Sequence, residues 1–349
     1  MSPTRPAVLT MQQQPRAEHL YAIDLLRFFA AMAVVCCHWC FSPDQMQPIM
    51  KISIAKYGLF GVQLFFLISG LVILISAQGQ DFRGFVGARI VRLYPAFWIC
   101  CTISALFAFS DPLLGWPQYI YNMTMFPDPN YVPLINQAYW SLVVEAKFYL
   151  LISVLLLCGW LHRIELVMWV WLVAAAWASS HLMSQLLMAH YACFFVGGCA
   201  CFLLRRHPTW DRWALLFVAW VVAMNETVRE VVKQNYVLDE FTSCMLVSSF
   251  FAVILAVSRN WLVVPQWKGL PTLGAISYPI YLLHQRIAIE MGWTTDSPGL
   301  LLLAFAWIIV LSWVVHRWGE LPLQRWMKAR FNAARNLNYQ PAGNSTRIP

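Results

Sequence analysis

A chain of 349 residues that is 60% hydrophobic and only 11% charged, with 18 Trp and 22 Phe, lies far from the balance of a soluble globular domain. It has no G-x-G-x-x-G and no Walker pattern, which excludes the usual soluble nucleotide folds. The net charge of +8 is accounted for below by membrane topology rather than by nucleic acid.

The composition predicts an all-α, polytopic membrane protein with one domain. Residues 1–20 carry Pro, Gln and Arg but no apolar core of a secretion signal, and read as a cytoplasmic N-terminal tail. Residues 21–322 form the expected transmembrane domain, and 323–349 a cytoplasmic C-terminal tail whose polar end reads as disordered. About ten spans of sufficient apolarity follow one another, at 21–41, 57–78, 93–110, 139–158, 164–180, 185–204, 210–224, 241–258, 273–292 and 299–316. An even number puts both termini on one side. With that side cytoplasmic, the outer loops hold only Lys51, Lys56, Arg229 and Lys233. Arg27, Lys147 and Arg286 lie within spans, so 17 of the 24 Lys and Arg fall inside.

The first span contains "VVCCHWCF", three cysteines and a histidine within five positions. At 100° per residue, Arg27 and His38 point within about 20° of each other and lie about 16 Å apart along the axis, with Asp24 on the same stripe. Cys36 lies about 160° from His38, so one straight helix cannot bring both to a metal ion. The ten cysteines lie in or beside apolar segments and read mostly as packing residues. A polar residue inside a span is costly, which makes His38 and Arg27 candidate site residues; a histidine bonded between helices is the bland alternative.

In the second span, "GLFGVQLFFLISG" offers small residues for close helix packing, with no role required of Ser69. The third opens with "ARIVRLYP", where Arg89 and Arg92 at i and i+3 form either a phosphate clamp or a topological anchor. In the fourth, "AYWSLVVEAKFYLL" sets Glu145 in the outer half of the span, where Lys147 at i+2 cannot pair with it. The ninth, "SYPIYLLHQRIAIE", carries His284 at mid-helix and an i, i+4 pair, Arg286 and Glu290. No internal repeat is evident.

The ordered segments "IDLLRFFAAMAVVCCH", "GLFGVQLFFLISG", "RIVRLYPAFW", "WSLVVEAKFYLL" and "SYPIYLLH", followed by "GELP", resemble the acyltransferase 3 family of integral membrane acyltransferases. That resemblance implies a bacterial inner-membrane enzyme. Such an enzyme passes an acetyl or other short acyl group from acyl-CoA, with acetyl-CoA the expected donor, to a hydroxyl of an extracytoplasmic glycan, lipid or related acceptor. The family's Arg-x10-His motif falls on Arg27 and His38, and its Arg-x-x-Arg motif on Arg89 and Arg92. Its Trp-Ser-Leu-x-x-Glu motif falls on Trp140, Ser141 and Glu145, and its Tyr-Leu-x-His motif on Tyr281 and His284. Ala146 and Lys147 depart from the residues that often follow the motif glutamate.

The expectation is therefore that Arg27, Arg89 and Arg92 hold acyl-CoA, with no metal. His38 acts as general base or, less readily, as acyl carrier, with Glu145 orienting it, and Trp140, Ser141 and His284 line the acceptor. A lipid or glycan transporter or flippase, using the same stripe as a path, is the alternative.

Overall fold

The computed structural model describes residues 20–41, 52–108, 115–126, 132–234, 237–291 and 297–337, with side chains through 287 and 334 in the last two segments. The expected N-terminal tail, the end of the C-terminal tail, most of the loop at 42–56 and the side chain of Glu290 lie outside them.

The chain forms α1 (Tyr21–Cys40), a 3-10 turn (Ser53–Phe60) leading into α2 (Gly61–Ala77), α3 (Phe82–Phe107), α4 (Trp116–Met123) and α5 (Trp140–Leu157). It continues through α6 (Ile164–Ala176), α7 (His181–Leu187), α8 (Ala192–Arg206), α9 (Trp210–Lys233), α10 (Glu240–Ser258) and α11 (Leu270–Met291). Helix α12 (Pro298–Val314) runs through a π-helical turn (Val315–Glu320) into α13 (Leu321–Leu337). No strand occurs among the described residues.

Among the described residues, seven helical stretches are long and apolar enough to cross a membrane. Helices also occupy the other three positions expected to span, each with a physical reason for falling short. With 13 residues, α6 is about 20 Å long against a hydrocarbon core of about 30 Å. Helix α9 has 24 residues but carries Asp211, Arg212, Glu226, Arg229, Glu230 and Lys233. Helix α11 interrupts its apolar run with Pro279, His284, Gln285 and Arg286.

The outside of the bundle is apolar: Leu150, Leu166, Phe217, Leu302 and Leu303 are exposed. A soluble protein would not display such faces, whereas lipid makes them neutral. Trp177 and Trp210, at helix ends, are among the most exposed side chains, as expected of residues at the membrane interface.

Glycines set the closest approaches. A side chain at Gly58 or Gly61 would run into the α1 backbone at Ala33 or Ala30, and one at Gly198 into the α2 backbone at Leu67 and Leu71. The small residues of the second span are thus packing residues, as the sequence suggested.

Helices α1 and α11 run parallel. Asp24, near the start of α1, lies against Gly274 near the start of α11, and Trp39 near the end of α1 donates from Nε1 to the carbonyl of His284 at 3.0 Å. Within α11, Pro279 cannot donate to the carbonyl of Ala275, which loosens the helix beside Tyr278. The third span begins earlier than expected, at Phe82 after an Asp81 cap that accepts from the Gly84 amide at 3.3 Å, so Arg89 and Arg92 lie two to three turns inside it. Phe331, expected in a disordered tail, is instead in α13 and packs on Gly87.

Candidate active site

The polar side chains of five helices meet along one column inside the bundle. We call the end where α1 starts the entry end, and the end where it finishes the exit end.

At the entry end, Arg89 and Arg92 line one small cavity with Arg27, Ser69, Glu145, Tyr149 and Tyr278. The Arg89 guanidinium lies 5.6 Å from the Phe85 ring centroid and 5.9 Å from that of Tyr149, and its buried Nε has no partner. Arg92 differs. It donates to Glu320 Oε1 at 2.8 Å, and Glu320, fully buried on the π-helical turn, also accepts from Gln324 at 2.7 Å and pairs with His316 Nδ1 at 2.7 Å. The two arginines that look equivalent in sequence thus have different partners.

A second cavity, toward the exit end, is lined by Arg27, Phe65, Phe66, Ser141, Glu145, Tyr278 and Tyr281, among others. Each cavity holds about 40 Å³. Arg27, Glu145 and Tyr278 line both and form the partition between them. The Arg27 Nε is buried without a partner. Glu145 accepts from Ser69 Oγ at 2.7 Å and from Tyr149 Oη at 2.5 Å. Ser141, Glu145 and Tyr149 recur at i, i+4 and i+8, so one face of α5 supplies this wall.

In the wall of the second cavity, Tyr281 shares a 2.7 Å hydrogen bond with Ser141, and its ring lies 5.6 Å from that of His284. The His284 ring is 5.2 Å from the His38 ring, tilted by 53°. His284 Nδ1 lies 2.7 Å from the carbonyl of Tyr281, which requires a proton on that nitrogen. Nε2 is then left with a lone pair, and it is buried without a partner.

The structure therefore brings Arg27, Arg89, Arg92, Glu145, Ser141, His284 and His38 into one column. Glu145 Oε1 accepts from Ser69 and Tyr149 at the depth of Arg27, and the ring of His38 lies against that of His284. Trp140 is 38% exposed, and its ring lies 5.2 Å from that of Tyr191 and 6.4 Å from that of Phe66, which lines the second cavity. Sequence reasoning passed over Ser69, Tyr149, Tyr278, His316 and Glu320. Tyr149 had a legible signal, as the i+4 neighbour of Glu145. Glu320 appeared only as part of the "GELP" string. Among the described residues, no three His, Cys, Asp or Glu side chains converge as metal ligands would.

Residues 20–317 match the family model described as an acyltransferase domain. The chain is 26% identical to Acyltransferase MdmB of Streptomyces mycarofaciens, over 90% of this chain and 94% of that protein. It is 28% identical to the candidate peptidoglycan O-acetyltransferase YrhL of Bacillus subtilis (strain 168), over 40% of this chain and 24% of that protein. No solved structure matches.

Proposed function

The chain belongs to the acyltransferase 3 family and is a multi-pass membrane O-acyltransferase, and on that premise we propose that its donor is cytoplasmic acyl-CoA, most simply acetyl-CoA. Its acceptor is then a hydroxyl on an extracytoplasmic glycan, lipid or related molecule. The observation that carries this reading is the polar column from Arg89 through Arg27 and Glu145 to the His38–His284 pair.

Arg89 and Arg27, with guanidinium nitrogens that lack protein partners, supply the charge-assisted donors for the phosphates of CoA at the entry end. Arg92 contributes at the same cavity but is held by Glu320. The pantetheine arm runs along the column toward the exit end, about the 16 Å that separates Arg27 from His38 on α1. The imidazole of His38 takes the proton of the acceptor hydroxyl as its oxygen attacks the thioester carbonyl. The C–S bond breaks, and the imidazolium returns the proton to the departing thiolate. Glu145 balances the charge of Arg27 at the partition. Trp140, Ser141 and His284 line the acceptor side.

Both termini cytoplasmic and ten crossings complete the proposal. Parallel packing of α1 and α11 supports it, because an even number of crossings must separate the starts of two parallel spans. The scarcity of Lys and Arg in the outer loops supports the orientation, and the bacterial source of both relatives supports the bacterial inner membrane.

The test is acceptor-dependent release of free CoA thiol from acetyl-CoA by the protein in proteoliposomes supplied with bacterial envelope glycan and lipid extracts. A folded, inserted His38→Ala protein that kept wild-type transfer would end the base assignment.

A further inference from the structure

Tyr278 is the one wall residue shared by both cavities that carries an unmatched hydroxyl. Its Oη is buried and has no hydrogen-bond partner among the described residues. The neighbouring tyrosine hydroxyls are satisfied: Tyr281 bonds to Ser141 and to the Ala138 carbonyl, and Tyr149 bonds to Glu145. A phenol withdrawn from water without a partner is costly, and a hydroxyl in that state at the junction of two cavities is placed to meet a ligand. Pro279, next in the chain, leaves the helix short of one backbone bond at this turn.

Depth identifies the part of the ligand. Tyr278 lies between the Arg89 end of the column and the histidines, about 9 Å along α11 before His284. A thioester near His38 with phosphates near Arg89 leaves the middle of the pantetheine arm at this level. The polar groups of that arm are secondary amides, whose carbonyls accept a single hydrogen bond readily.

We propose that the Tyr278 hydroxyl donates a hydrogen bond to an amide carbonyl of the pantetheine arm, making it a donor-binding residue at the partition with Arg27 and Glu145. This rests on the reading of acyl-CoA as donor. No bond is made or broken at Tyr278.

The experiment compares the full-length wild type and Tyr278→Phe in proteoliposomes, with acetyl-CoA and with S-acetylpantetheine, which keeps the amides and lacks the nucleotide. Loss of one neutral hydrogen bond raises KM for both donors by about five- to tenfold, with kcat nearly unchanged. Arg89→Ala, as the contrast, raises KM for acetyl-CoA alone. The Tyr278→Phe protein unfolds at or above the wild-type temperature, since it loses a hydroxyl that has no partner. Unchanged KM overturns the proposal, and so does an effect that disappears with S-acetylpantetheine. So does a lowered unfolding temperature with KM intact, which makes Tyr278 a packing residue. A wild type that releases no thiol from acetyl-CoA refutes the donor assignment itself, a distinct result.

Discussion

The imidazole rings of His38 and His284 lie 5.2 Å apart, although they come from the first and the penultimate described segments of the chain. His284 is anchored through Nδ1 to its own helix at the Tyr281 carbonyl, and the neighbouring Trp39 is bonded to the His284 carbonyl. The two helices are thereby locked at the depth of the pair. His38→Ala is expected to slow acyl transfer by about 10²- to 10⁴-fold, the usual worth of a general base. His284→Ala is expected to cost less, and the same thiol-release assay ranks them.

Arg89 and Arg92 should separate when mutated singly. Arg89 has no acidic partner among the described contacts, so Arg89→Ala is expected to weaken acyl-CoA binding by about tenfold or more with little change in stability. Arg92→Ala leaves the buried Glu320 with a lost partner and is expected to lower the unfolding temperature as well. Calorimetry of donor binding beside thermal unfolding in detergent distinguishes the two.

Glu320 is fully buried and joins Arg92, His316 and Gln324. Removing its carboxylate strands a guanidinium and an imidazole together, so Glu320→Ala is expected to destabilise by on the order of 3 kcal/mol. Glu320→Gln, which keeps the shape and some of the bonds, is expected to be milder. Unfolding midpoints of the purified variants provide the check.

Gly198 sits where α8 touches the backbone of α2 at Leu67 and Leu71. Gly198→Ala must push the two helices apart and is expected to cost more than about 2 kcal/mol, with poor yield of inserted protein. Gly159, with open space around it and a φ of +68°, should accept Ala with only the smaller conformational penalty.

The sequence made much of this site legible because periodicity on a single helix is a local property. The spacing of eleven residues already aligned Arg27 with His38, and the i, i+3 spacing of Arg89 and Arg92 already put them near one face. Pairings between helices were hidden. Nothing in "WSLVVEAKFYLL" indicates that Ser69 supplies a donor to Glu145, and nothing in "ARIVRLYP" indicates that Glu320, 228 positions later, claims Arg92. Span counting met a related difficulty. Helix α9 carries charges on a polar face while it packs through Leu215, Ala219 and Ala223, and hydropathy cannot separate those faces without knowing the neighbours. Phe331 was misread because a polar flank concealed one anchoring ring.

The contact from Trp39 to His284 spans 245 residues of chain. At about 5 to 20 residues per second, a ribosome needs roughly 12 to 50 s to make the intervening polypeptide. Throughout that interval α1 is already synthesised, with Asp24, Arg27 and His38 lacking the helix that later covers them. Helix α1 is therefore made early and completed late. Insertion machinery must shelter its charged stripe from lipid until α11 arrives, and the polar column is assembled only then.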